Sequence, residues 1–482
     1  MGVTSERLSV RVQSMTSRSA AAGASQASRA RIWGPGLRAA VWGLAVGPFV
    51  WLAALVWRYG VDVPYYDQWG FVPLLGLSIR GQLSLADVWV NDAEHRQLFP
   101  KLLMLLLARL TSWNIRWEMA VNVALAVGIF GVLAHMQWRA ARQAGVRGVM
   151  WWLPMVSVIV FGLAQMENWL WGWQMSYFIC VLAVVAGLSL VTSPRLTWWR
   201  LAAGAGAGVV ATYSFACGLP YWPVGLLAVA AAPAESRRTR GLRVMVWVII
   251  SALVAALYFH GYRTPSQHPG PRAGLAHPLD LARFALLYLG FPVGSHHPLR
   301  VGVLGVLILV GAVAVLVRGG KVGLWTVMPF VCLALYAMAT GLTIGVGRVG
   351  FGLIYALRSR YITYANLMWV AMVGLLYLIV MTRASRPKAP RARAWVAAAA
   401  AVAAAGIAVG AFRASWEAAP GYAVLYEERR EARAALLAGR DSPALDELFL
   451  SKEVVKERVK VLRRRGLSLF RGEAGRGRGS AG

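Results

Sequence analysis

Acidic residues are scarce in this chain, with 20 Asp and Glu against 50 Lys and Arg for a formal charge of +30. Charge of either sign is almost missing from the long apolar runs. Charged residues make up 15% of the sequence and apolar ones 58%, whereas soluble domains carry roughly 25% charged residues, so an ordinary soluble domain is excluded. Only three cysteines occur, Cys180, Cys217 and Cys332, and all lie in apolar runs. An odd number inside lipid gives no extracellular disulfide framework. The N-terminal bases Arg7, Arg11, Arg18, Arg29, Arg31 and Arg38 precede no short apolar core with a small-residue cleavage site, so the first apolar run reads as an anchor. The centres of the apolar runs hold no ionisable residues, which speaks against an ion-coupled carrier. The basic residues sit in short loops and a tail without aromatic interleaving, so nucleic acid is not the expected partner.

What remains is apolar length. A membrane-crossing helix needs about 20 predominantly apolar residues. Runs near 39–57, 117–138, 149–163, 174–192, 201–217, 219–234, 243–261, 301–317, 322–340, 361–381 and 394–412 meet or approach that need. The expected fold class is therefore all-α, a multi-pass membrane protein with about 11 transmembrane helices. A basic cytoplasmic N-terminal tail over 1–38 precedes the membrane domain over 39–412, and a helical extracytoplasmic tail occupies 413–482.

Orientation follows from the bases, because short cytoplasmic loops retain Lys and Arg. With the N-terminus inside, 1–38, 139–148, 193–200, 235–243, 318–321 and 382–393 are the inner segments, and their only acids are Glu6 and Glu235. The shorter apolar stretches 102–108 and 281–293 are then surface or interfacial helices. The tail, with its alternating acids and bases, reads as solvated amphipathic helices. The membrane is expected to be the bacterial cytoplasmic membrane.

Candidate chemistry gathers in the outer connections. The first, 58–116, is the longest and contains VDVPYYDQWGFVPLL, in which Pro64 and Pro73 punctuate the chain and Asp67 falls in a turn beside interfacial aromatics. Asp62, Asp87, Asp92 and Glu94 share this loop, followed by His95 and Arg96. A carboxylate at a desolvated boundary can have its pKa tuned to act as a general base, and an arginine fork suits phosphate oxygens. The connection GLAQMENWLWGWQMS places Glu167 and Gln174 among tryptophans such as Trp169, the composition of a carbohydrate-facing platform. In GLTIGVGRVGFGLIYALRSRYITYAN, Arg348, Arg358 and Arg360 have no acid to neutralise them, which suits a phosphate or anionic headgroups. Its glycine spacing lacks the surrounding βαβ unit of a dinucleotide site. His268, His277, His296 and His297 show no compact ligand spacing, so no cofactor is expected and a divalent metal finds no support.

The layout resembles the GT-C superfamily, multi-span glycosyltransferases that use polyprenyl-phosphate-linked sugars. The resemblance spans roughly residues 40–381 and rests on a long first outer loop with an acid after the first span, two surface helices near 69–80 and 98–112, and Glu167 in the second outer loop. The fragments DQW, EHR, ENWLWGWQ and SRY also look like a set of bacterial multi-pass proteins. The resemblance implies Asp67 as general base, Glu167 as a catalytic or sugar-binding acid, and Arg358 or Arg360 holding the lipid phosphate. Asp62, Glu94, His95, Arg96, Arg348, Trp169 and Gln174 complete the expected substrate contacts. The first loop has no adjacent pair of acids, and no WWDYG-type motif of oligosaccharyltransferases appears. A flippase or transporter, a polymerase or ligase of lipid-linked saccharides, and a non-catalytic scaffold remain the alternatives. The sequence does not fix the oligomeric state.

Overall fold

The computed structural model describes residues 35–91, 95–146, 150–262, 270–319, 322–384 and 391–471. Every regular element among them is helical. The helices are α1 (Pro35–Tyr59), α2 (Asp67–Ile79), α3 (Leu85–Trp89), α4 (Leu98–Thr111), α5 (Ile115–Gln143) and α6 (Trp152–Val160). Next come α7 (Met166–Leu170), α8 (Met175–Val191), α9 (Trp198–Thr212), α10 (Tyr221–Ala231), α11 (Arg237–Phe259) and α12 (Pro271–Leu275). The last six are α13 (Pro278–Gly290), α14 (Pro298–Arg318), α15 (Leu324–Arg348), α16 (Ile362–Ala384), α17 (Arg391–Ala438) and α18 (Lys452–Arg465).

Nine helical segments among the described residues are long and apolar enough to cross a membrane, the pattern of a multi-pass membrane protein. Their burial differs sharply. The stretch through α16 has 83% of its apolar window inside the protein, against 17% for α1. The first is therefore the central pillar, and the second turns most of its side chains to the surroundings.

Two of the eleven expected runs do not reach spanning length. At about 1.5 Å per residue, α9 and α10 extend roughly 22 and 16 Å, short of a hydrocarbon core of about 30 Å. The chain reverses between them at Gly218, whose backbone lies against Ala211 so closely that a Cβ would collide with it. Small residues allow this hairpin to pack tightly on α8. Tyr221 fits against Gly187, Gly204 and Gly208, and its hydroxyl donates to the Gly204 carbonyl at 2.8 Å.

In the first long connection, α2 and α4 coincide with the two surface helices expected there, and the single turn of α3 lies between them. Ser84 and Asp87 form a reciprocal cap at the start of α3. The apolar stretch at 281–293 is largely helical, as α13, and its Gly290 touches the Pro298 backbone of α14.

The tail differs from the expectation of solvated helices. The last apolar run does not end at the bilayer, because α17 continues unbroken for 48 residues, about 72 Å. Its second half buries Tyr422, Arg429, Ala432, Ala435 and Leu436. The chain then turns at Gly439, where φ is 64°, and α18 folds back against α2. Val455, Leu462, Leu469 and Phe470 are buried there. The tail closes over the first long connection instead of standing apart from it.

Candidate functional site

The end of the bundle that carries the 60–116 connection also gathers 165–174, the start of α16 and the returning tail. Asp67 is the first residue of α2, where an acid is favoured by the helix dipole, and its side chain is exposed. Behind it lies a buried polar chain. Gln68 Nε2 donates to Glu118 Oε2 at 2.6 Å, and Trp113 Nε1 donates to Glu118 Oε1 at 2.9 Å. Gln68 Oε1 in turn accepts from the Tyr65 N–H at 3.1 Å. Each Glu118 oxygen thus has a donor, and Gly172 sits so close to its carboxylate that no side chain would fit. This network helps to fix the turn that presents Asp67.

The same turn abuts the 165–174 connection. Trp171 Nε1 donates to the Tyr65 carbonyl at 3.0 Å, and the Tyr65 ring meets those of Tyr66 and Trp171 at 4.7 and 5.5 Å. Four residues before Trp171, Glu167 Oε2 accepts the Arg360 N–H at 3.2 Å, and Glu167 Oε1 lies 3.8 Å from the Arg360 guanidinium. Asn168 and Thr363 lock this contact, since Asn168 Nδ2 donates to the Arg360 carbonyl and to Thr363 Oγ1, which donates to Gln165. Glu167 and Arg360 both stay about a quarter exposed. Arg360, expected to have no acid to neutralise it, is therefore paired with the acid of the second connection.

Arg348 and Arg358 lie on the same approach but stack on rings, Arg348 5.8 Å from Phe351 and Arg358 4.9 Å from Tyr355. Arg358 is exposed. The bases in this segment are thus one carboxylate-paired arginine and two flanking ones held by aromatics.

Several expected substrate contacts have other roles. Asp62 is buried, and both its oxygens are taken. Oδ1 accepts from the Ile115 N–H at 2.9 Å and from Ser468 Oγ at 3.2 Å, while Oδ2 pairs with Arg471 at 2.7 Å. Burial pushes this carboxyl above the usual carboxylate range against the pull of Arg471. Asp62 anchors the tail. Arg96 is likewise buried and spent on backbone carbonyls, those of Tyr258 at 2.7 Å, Trp89 at 3.1 Å and His260, so it staples the first connection to the end of α11. His95 stacks on Phe215 with ring centroids 3.8 Å apart. Trp169 is fully buried, donates to the Gly162 carbonyl at 2.9 Å and stacks on Phe178, so it offers no face to a sugar. Gln174 is buried, and its Oε1 lacks a hydrogen-bond partner. Glu94, Asp92, His268, the basic segment to residue 34 and the chain after 471 lie outside the described residues.

Arg429 joins the site from α17, which composition alone did not suggest. Its guanidinium lies 4.2 Å from the Tyr65 ring centroid, it donates to the Leu170 carbonyl, and its Nε has no partner. Burial also raises the Tyr65 hydroxyl above its ordinary pKa. A signal for Arg429 was present, because Ser415, Tyr422, Arg429 and Leu436 recur every seven residues and all four are buried. A charge in that seam is buried by its neighbours.

Among the described residues no group of three or more His, Cys, Asp or Glu comes together to hold a metal ion. Away from the turn, His296 Nε2 lies 3.1 Å from Glu417, which also accepts from Ser295 and Arg413. The turn that bears the exposed Asp67 is thus joined through Tyr65 and Trp171 to the connection that carries the Glu167–Arg360 pair. No protein-family model, curated protein or solved structure matches this chain.

Proposed function

We propose that the protein is a membrane glycosyltransferase that moves a sugar from a polyprenyl-phosphate donor to an acceptor hydroxyl on the outer face of the cytoplasmic membrane. The observation that carries this reading is the convergence of the Asp67 turn with the Glu167–Arg360 pair through the packing of Tyr65 on Trp171. Asp67 takes the proton of the acceptor hydroxyl as its oxygen attacks the anomeric carbon. The bond from that carbon to the phosphate oxygen breaks, and the electron pair leaves with the polyprenyl phosphate. Arg358 and Arg360 neutralise the departing phosphate, since guanidinium donors fit its oxygens and act strongly where water is excluded. Glu167 orients Arg360 and faces the sugar. One displacement with one base inverts the anomeric carbon.

An apolar groove between α1 and α5 supports a lipid-borne donor. Ala53, Val56, Trp57, Ala120 and Val123 line it, and Arg116 stands at its rim over the Trp57 ring at 4.9 Å. It follows the two helices that bracket the first long connection, so an isoprenoid chain there would bring its phosphate to the loop-bearing end.

Purified protein supplied with a set of polyprenyl-phosphate sugars tests the reading. Wild type is expected to consume one donor, and Asp67→Asn to fold yet lose turnover by a factor of about 10² or more, the scale of a lost general base. Equal turnover in both would remove Asp67 from the mechanism. Movement of lipid-linked sugar across vesicles without transfer would replace the transferase by a flippase.

A further inference from the structure

The residue that precedes Asp67 has a backbone conformation its side chain disfavours. Tyr66 has φ 46° and ψ −118°. A bulky residue at positive φ persists only where its surroundings over-determine it. Three hydrogen bonds supply that constraint. The Tyr66 N–H donates to the Leu448 carbonyl at 2.7 Å, Arg458 donates to the Trp69 carbonyl, and Trp171 holds the Tyr65 carbonyl. Two of the three come from the chain beyond α17, one on each side of Asp67.

The returning segment is itself tied down away from α2. Arg471 and Ser468 hold Asp62, the Ser468 N–H donates to the Ser112 carbonyl at 2.9 Å, and Phe470 is fully buried. It is also tied back to α17, because Arg463 donates to the carbonyls of Leu436 and Leu437. A segment fixed at both ends and bonded to the turn in its middle works as a clamp.

We propose that residues 439–471 are a working part of the site, with Arg458 as the positioning residue that fixes the direction in which α2 presents Asp67. This rests on the reading of Asp67 as the base. A segment serving only as a cover would change global stability when weakened, leaving the turn no looser than the rest. The clamp makes a different demand. Releasing the Trp69 carbonyl should loosen the turn locally and slow the chemical step, with donor binding unaffected.

The experiment uses the full chain in lipid nanodiscs and compares wild type, Arg458→Ala, Arg458→Lys and Asp67→Asn by amide hydrogen exchange and by donor turnover. Arg458→Ala is expected to speed exchange in 62–72 about tenfold while α16 is unchanged, and to lower kcat about tenfold at constant KM. Arg458→Lys, which keeps a donor, should recover most of both, and Asp67→Asn supplies the turnover expected when the base itself is lost. If Arg458→Ala does not accumulate, Arg458→Gln takes its place. Unchanged exchange in 62–72, an increase spread over the whole chain, or a loosened turn with unaltered kcat would each overturn the proposal. If wild type consumes no donor, the reading of Asp67 fails, and the exchange comparison still decides whether the segment holds the turn.

Discussion

Asp62 and Asp67 stand five positions apart in one loop and have opposite environments. Asp67 opens a helix at the surface, whereas Asp62 is buried under Ile115, Ser468 and Arg471. Breaking a buried ion pair leaves the other charge stranded. Arg471 is about a third exposed, which softens that effect. A double-mutant cycle with Asp62→Ala and Arg471→Ala, read by thermal unfolding, should therefore give a coupling of about 1–2 kcal/mol. A coupling near zero would mean that the carboxylate does not anchor the tail. The sequence distinguished these two acids poorly because the partner that decides between them lies at the other end of the chain. Trp169 and Trp171, two positions apart and both buried, likewise donate to carbonyls of different segments, Gly162 and Tyr65. Residue type and approximate depth were legible; which polar groups were already occupied was not.

At the scale of elements, the pattern of apolar and polar residues was the better guide. Pro64 and the polar break around Gly81 delimit α2, which runs through Pro73, and the interiors of α2 and α4 are apolar enough to lie against the bundle. Length misled at α9 and α10, where two apolar runs counted as spans, although they only approached the needed length, are divided by a reversal at Gly218. It misled again at α17, since a helix whose composition changes from alanine-rich to charged need not end at the change. The turn after α17 makes a pH prediction. Asp441 accepts from Lys456 at 2.8 Å and lies 3.8 Å from Lys452, which holds its carboxyl below the usual carboxylate range. A lowered folded pKa means that the contribution is present above the unfolded value of about 3.9 and is lost as pH falls through the lowered one. The gap in unfolding temperature between wild type and Asp441→Asn should therefore be open at about pH 7 and close towards about pH 3. A gap that does not change would assign the pair no role in folding.

For the whole molecule, one continuous apolar core joins the membrane helices to the tail, from Ala45 through α16 to Phe470. The three cysteines sample its membrane part, on α8, beside α10 and on α15, and all are free and buried. A membrane-permeant maleimide should leave them unlabelled in the folded protein, and labelling at all three should appear together as denaturant is raised. Labelling of one well before the others would mean that the bundle comes apart in sections. Joining the tail to this core depends on contacts between distant parts of the chain, which periodicity cannot reveal because it records only which face of a helix is apolar. The C-terminal segment was accordingly legible as helical and not as a component of the site.

The bond between Ser468 and Asp62 links residues 406 positions apart. At about 5–20 residues per second, a ribosome that has just placed Asp62 at the membrane surface needs on the order of 20–80 s before its partner exists. Over that interval the first connection has emerged without its clamp, and the carboxylate lacks both its Ser468 and Arg471 partners. The protein is thus assembled in an open form and closed by its own later synthesis, so that an interrupted chain carries Asp67 on an unsecured turn.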